Sequence, residues 1–415
     1  MSRLERFLGL PQPDFEFGET NVFDEVRRRA IKGIGKIEVI NGLFAPFLSP
    51  EVKKIRSRIQ EVAEQADEFS QPAWKLLQGN IIYLPISLFV RASPFYSDNW
   101  LLDTFMGTLF LDLPDLEFRL LNQFTSPDIQ PQLPTTRLFP GNRFWAFDDE
   151  STMLGLIWRA DLWQRGISLG FKESEDWAER WQWIRRHVQE GFYGTPPGIR
   201  YSRPDVFRFH KADVITYNQG IYAVAALSAR KMELEEDQLV EEEAIQAYQS
   251  LASSPRRLKF SRNLPYTDGS VLFGEFLALH LFGRLLLSDE TVERSMALMS
   301  RLNGQIPVVL KNDRSYLSPS EFNRPYQPGD YQNRAEWPVW SAIAQATSEL
   351  HGGRHDRPFW QDLFYRLQRG NHPEYFYTGL RDVLHNRSRE NHLWNTAVYL
   401  AARKVMNLEE REQLV

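Results

Sequence analysis

The sequence predicts an all-α protein built as a toroid of paired helices, with long loops forming a pocket at one end. Three observations predict it. Apolar residues recur at helical spacing along most of the chain. No series of two-residue hairpins and no alternation of strand with helix breaks the pattern. The helical stretches are separated by long loops rich in Pro, Gly, Asn and aromatic residues, and long loops in compact domains are usually functional.

The elements follow in order. Ser49-Pro50-Glu51 reads as a cap and first turn, and Val52, Ile55, Ile59 and Val62 then share one helical face. Asn99 to Leu111 is strongly apolar. Met153, Leu156, Ile157 and Ala160 share a face, as do Ile221, Val224, Ala225 and Ser228. Segments 239–252, 270–286, 289–302, 337–350, 358–368 and 391–406 also read as helices. The loops between them are 93–99, 124–145, 193–211, 311–336 and 370–390. The acidic stretch Glu233 to Glu243 reads as a solvated helix face. No linker or sequence repeat divides the chain, so residues 1–415 are read as one domain.

Composition narrows the chemistry. The chain holds 49 Lys and Arg against 54 Asp and Glu, a net charge of −5, which argues against gripping a phosphate backbone. No window approaches a transmembrane run. The stretch Met1 to Arg6 lacks the apolar core of a signal peptide, so a cytoplasmic location is expected. The absence of cysteine excludes disulfides, thiol catalysis and cysteine-ligated metals. The eight histidines are scattered, and no metal or organic cofactor is expected. Twelve Trp, 15 Tyr and 28 Phe make 13% of the chain aromatic. Most of these rings belong in a large core. Many, however, stand beside acids and amides, the mixture a sugar site needs: rings stack on the pyranose C–H face while polar groups bind its hydroxyls.

Five motifs carry that mixture. Phe95 to Met106 places Trp100 and Asp103 three apart at a helix start, where both can face one cavity. Read structurally, Asp103 is a first-turn acid favoured by the helix dipole. Phe144-Trp145-Ala146-Phe147-Asp148-Asp149-Glu150-Ser151 sets three acids behind two aromatics, and Asp149 or Ser151 could cap the helix that follows. Tyr201 to Asp205 precedes Asp213 to Gly220, where Tyr217, Asn218 and Gln219 open an apolar helix and Asp213 or Thr216 could cap it. Gly329 to Trp340 is the densest mixture of acid, amide and indole, including Tyr331, Gln332 and Trp337. Pro373-Glu374-Tyr375-Phe376-Tyr377, with His392 to Ala397 behind it, sets an acid among three aromatics. Desolvation there raises a carboxyl pKa and suits acid or base work.

In this order the motifs resemble the (α/α)6-barrel glucosidases, in particular the glucosidase domain of glycogen debranching enzymes and the processing α-glucosidase I family. Trp100 to Phe105 resembles an Arg-Asp-Thr-Phe helix start, with Leu102 in place of the arginine. Asp148 to Thr152 resembles the acidic helix start that follows, and Asp213 to Leu227 the next helix. Tyr331 to Trp340 resembles the aromatic–amide–Trp-Pro motif. Pro373-Glu374 and Trp394 to Ala397 resemble the terminal acid loop and the helix behind it. The resemblance spans about residues 90–405.

It implies an inverting hydrolase with an Asp general acid and a Glu general base. By position Glu374 is the base and Asp205 the acid, with Asp213 a rival because the Trp-Met-Asp pattern of the debranching enzymes is missing. Trp100, Asp103, Trp145, Asp148, Asp149, Tyr217, Asn218, Gln219, Tyr331, Gln332 and Trp337 would bind substrate, and Trp394 would pack behind them. The chain has no room for polymer-holding domains, so a small α-glucoside such as glucosylglycerol or glucosylglycerate is the expected partner. Neither nucleic acid nor membrane is expected, and a homo-oligomer is left open. Three rivals remain: a sugar isomerase or epimerase on the same toroid, a non-catalytic glycan-binding protein, and a phosphorylase using Arg334 or Arg381.

Overall fold

The computed structural model describes residues 37–412 except 69, 86–87, 92–98, 110–112, 126–130, 135, 138–143, 147, 197–212, 255–257, 265, 301–309, 312–317, 319–336, 355 and 370–391. Among the described residues lie fourteen α-helices: α1 (Ile37–Phe44), α2 (Pro50–Gln65), α3 (Ser70–Gln78), α4 (Leu101–Thr108), α5 (Pro114–Leu121), α6 (Ser151–Gln164), α7 (Phe171–Arg185), α8 (Thr216–Lys231), α9 (Gln238–Ala252), α10 (Phe273–Phe282), α11 (Asp289–Ser300), α12 (Pro338–Leu350), α13 (Arg357–Arg369) and α14 (Thr396–Glu412). The short strands are β1 (Ile81–Tyr83), β2 (Leu88–Val90), β3 (Asn99–Trp100), β4 (Thr136–Arg137), β5 (Phe144–Ala146), β6 (Val188–Gln189), β7 (Phe192–Tyr193), β8 (Tyr266–Thr267) and β9 (Leu310–Lys311). No described helix is long and apolar enough to cross a membrane.

Six helices close a ring. α4 packs on α6, α6 on α8, α8 on α10, α10 on α12, α12 on α14, and α14 returns to α4. Their burial explains the arrangement. Every residue of α4 is buried, as are Thr216 to Ala229 of α8 and Pro338 to Thr347 of α12. A helix that is apolar all round must sit between other elements. The second layer is amphipathic: α5 and α7 cover α6, α9 covers α8, α11 and α13 cover α12, and α3 covers α14. α9 turns Val240, Ala244, Ala247, Tyr248 and Leu251 inward. An N-terminal outer helix, α3, therefore pairs with the C-terminal inner helix and closes the circle. This is the all-α toroid expected from the sequence.

Local chemistry sets several boundaries. Ser49 Oγ accepts a hydrogen bond from Val52 N, and Pro50 opens α2, as Ser-Pro-Glu predicted. α6 is capped otherwise than expected. Asp148, not Asp149 or Ser151, is the acceptor, taking Ser151 N at 2.8 Å and Ser151 Oγ at 2.6 Å. α8 has no side-chain cap, so neither Asp213 nor Thr216 plays that part. Helices α1, α3, α5 and α7 fall outside the segments read as helices from the sequence. Nor was the two-residue hairpin β6–β7, which pairs Val188 with Tyr193 and Gln189 with Phe192. Its turn residues, Glu190 and Gly191, both have positive φ, 51° and 76°, the primed-turn geometry that matches strand twist.

Candidate active site

The starts of the six inner helices meet at one end of the toroid. β3, which leads into α4, pairs with β4, and β4 pairs with β5, which leads into α6. Asn218 in the first turn of α8 donates to Asp149 just before α6, at 2.5 Å. Ile215, preceding α8, bridges to Ser261 in the chain leading to α10. The Tyr217 ring stacks on Phe273 at 5.4 Å, and Trp340 meets both edge-on at 5.8 and 5.2 Å, joining the first turns of α8, α10 and α12. The 3-10 turn Leu393–Asn395 ahead of α14 packs on α4 and α12. His392 Nε2 lies 3.5 Å from Asp103 Oδ1 in α4, both side chains being buried. Six helix N-termini thus converge, and their summed backbone dipoles favour negative charge there. Buried acids gather accordingly: Asp103, Asp148, Asp149, Glu150, Asp213 and Asp268 are all less than a tenth exposed.

The predicted residues divide by role. Asp149, 2% exposed, accepts Asn218 Nδ2 and Thr195 Oγ1 on the same oxygen, Oδ2, at 2.5 and 2.6 Å. Its backbone carbonyl accepts the Tyr193 hydroxyl at 3.1 Å. Burial, and then the charges of Asp149 and Asp148, push the Tyr193 phenol well above its ordinary pKa, so it stays a donor. Asp148 is occupied as the α6 cap. Tyr217 belongs to the aromatic cluster. Trp337 is buried at the start of α12, and Trp100 is half-buried at the start of α4. Trp145 lies on β5.

Gln219 departs from expectation. Its Oε1 accepts Tyr193 N at 3.0 Å, and its Nε2 donates to Gly191 O at 3.0 Å and Ala244 O at 3.1 Å. Those partners belong to the β6–β7 hairpin and α9, the outer layer. Gln219 is a staple between layers, not a pocket group. Successive helix residues point about 100° apart, so Asn218 facing Asp149 turns Gln219 outward.

Asp213 is likewise committed. It accepts Ser261 Oγ at 2.5 Å, Asn263 Nδ2 at 3.0 Å, Asn263 N at 3.3 Å and Val214 N at 2.9 Å. Four donors make it a tie between two loops, which weighs against it as a proton donor. Asp205, Glu374, Tyr331 and Gln332 lie outside the described residues. Thr195, Tyr193, Ser261 and Asn263 were missed in the sequence, where no motif marks them. Among the described residues, no group of three or more His, Cys, Asp or Glu could hold a metal ion.

No protein-family model matches the chain, and no curated protein matches it in sequence. Solved structures do match in shape. A GH63 mannosylglycerate hydrolase from Thermus thermophilus, in complex with Tris and D-glycerate, superposes with a TM-score of 0.53 at 12% identity, over 81% of this chain and 100% of that one. The same enzyme in complex with glucose gives 0.52 at 13% identity, over 81% and 100%. A glycosidase in complex with glucose gives 0.51 at 13% identity, over 87% and 99%. The chain has their fold. Identity this low speaks to the toroid and its layers, and to nothing finer.

Proposed function

We propose that the protein is a glycoside hydrolase that cleaves the α-glucosidic bond of a small α-glucoside with inversion. The observation that carries this reading is the ring of buried acids, amides and aromatics at the converging N-termini of the six inner helices. Such an end offers carboxylates held in low dielectric beside flat apolar rings, the surroundings a sugar and its oxocarbenium-like transition state require. The fold's occurrence among glycosidases adds support. One of them is a mannosylglycerate hydrolase captured with D-glycerate and with glucose, which favours a glycerate or glycerol aglycone for this chain as well.

Asp205 is the general acid in this reading and Glu374 the general base. Asp205 protonates the departing oxygen, while Glu374 takes a proton from water attacking the opposite face of the sugar. Inversion requires the two carboxyl groups to stand about 6.5–9.5 Å apart so that the water fits between. Trp100, Asp103 and Trp337 bind the glucose. The test is glucose release from glucosylglycerate, glucosylglycerol, trehalose, sucrose and isomaltose by the wild type, Asp205→Asn and Glu374→Gln. The wild type should hydrolyse at least one. Each variant should lose about a hundredfold or more in kcat, the usual contribution of a general acid or base. Full activity in both variants contradicts the assignment.

A further inference from the structure

His392, just ahead of α14, and Asp103, in the first turn of α4, come together from distant parts of the chain at the converging helix starts. We propose that His392 is a positioning residue for Asp103, fixing the orientation of its carboxylate toward the hydroxyls of the bound sugar. The inference rests on reading Asp103 as a glucose ligand.

His392 Nε2 lies 3.5 Å from Asp103 Oδ1, and the two residues are 2% and 6% exposed. The packing beside them explains why the imidazole is held there. Asp103 and Gly107 stand four residues apart and so share one face of α4. Leu393 seats its side chain against Gly107, where an added Cβ would lie 2.6 Å from Leu393 Cδ2 and 2.9 Å from Cδ1. The 3-10 turn is also closed on itself, with Asn395 N donating to His392 O at 3.2 Å and Thr396 Oγ1 donating to Leu393 O at 2.7 Å. Leu393 is thus keyed over Gly107, and the residue before it meets Asp103 one helical turn away. Packing alone does not call for this pair. A buried imidazole and carboxylate give up hydration, and apolar residues of similar volume often fill such a space as well or better. A sugar ligand does call for it. Carboxylate–hydroxyl bonds are short and strong only in the right geometry, and a binding group must be held by its neighbours to within about 0.5 Å. A carboxylate has about four lone-pair sites, so one imidazole at Oδ1 orients Asp103 without closing it to a sugar hydroxyl.

His392→Leu removes the ring nitrogens while filling a similar space, and His392→Gln returns an N–H near the position of Nε2. The Leu variant should fold, raise KM for any glucoside turned over and the dissociation constant for glucose by about tenfold, and change kcat less, the pattern of lost uniform binding. The Gln variant should recover most of the affinity. In an Asp103→Asn background His392→Leu should have little further effect, because coupled residues are not additive. A Leu variant with wild-type KM and glucose affinity, altered only in melting temperature, overturns the proposal. So does a full tenfold loss on top of Asp103→Asn. If the wild type turns over no glucoside, the hydrolase reading fails by itself, because glucose affinity still reports the pair. A wild type that binds no glucose either ends both.

Discussion

Gly274 to Ala is the perturbation that most directly probes the closure of the inner ring. A Cβ at Gly274 in α10 would lie 2.5 Å from the Cα and carbonyl carbon of Gly220 in α8, and 2.6 Å from its oxygen. Ordinary contact begins near 3.4 Å, so the helices would have to part by about 0.9 Å (3.4 − 2.5). Both contacting groups are backbone and cannot swing aside. α8 cannot easily retreat either. The Tyr248 ring backs Gly220, and the Tyr248 hydroxyl is fixed to Val271 O at 2.6 Å. Overpacking of this kind costs about 1–3 kcal/mol, and the better helix propensity of alanine offsets about 1 kcal/mol. The net expectation is a loss of up to about 2 kcal/mol, read as a lower urea midpoint with an unchanged slope. Gly42 to Ala is the internal control. It also sits in a helix, but nothing lies within 4 Å of its added Cβ, and it should be neutral or more stable by up to about 1 kcal/mol. If Gly274→Ala gained stability as Gly42→Ala is expected to, the close approach of α8 and α10 would be wrong.

Two further predictions concern groups away from the candidate site. His351 at the end of α12 sets Nε2 2.8 Å from Glu275 Oε1 and Nδ1 2.8 Å from Asp289 Oδ1. Burial opposes its charge, but hydrogen bonds and charges from those two carboxylates prevail and raise its pKa. A raised folded-state pKa gives stability that is complete below the unfolded value of about 6.5 and is lost as pH rises through the folded value. The urea midpoint of the wild type, minus that of His351→Gln, should therefore shrink as pH is raised from about 6 to 9, and a constant difference would refute the charged clamp. Glu190 adopts φ 51° in the β6–β7 turn, where asparagine is better suited. Glu190→Asn should raise thermal stability by up to about 1–2 kcal/mol, the left-handed penalty of an ordinary residue, and a fall in stability would count against the turn geometry.

How far the sequence revealed the fold depended on the layer. Inner helices such as α8 announce themselves by continuous apolar periodicity, because every face is buried. α7 was missed because its run Phe171 to Arg185 mixes four acids with Trp177, Trp181 and Trp183, and only packing shows that Trp177 reaches Gly155 of α6 while Trp181 stacks on Tyr222 of α8. The β6–β7 hairpin was missed because Glu190 is not a residue that signals a positive-φ turn. At the site, Asp149 and Asn218 were legible as an acid and an amide at helix starts. That Gln219 faces outward was not, since its partner Ala244 lies 25 residues away in the chain. Thr195 was invisible for the same reason: its partner Asp149 is 46 residues earlier, and a lone threonine before two prolines carries no pattern.

The measurement that tests the central claim most directly is a proton NMR time course of the purified protein with glucosylglycerate and glucosylglycerol. An inverting α-glucosidase releases β-glucose first, with the α-anomer growing in only by mutarotation. Early α-glucose would contradict the two-carboxylate inverting assignment while keeping a hydrolase. Absence of glucose from these and from the other small α-glucosides would contradict the glycosidase reading, leaving a toroid that binds or isomerises sugars.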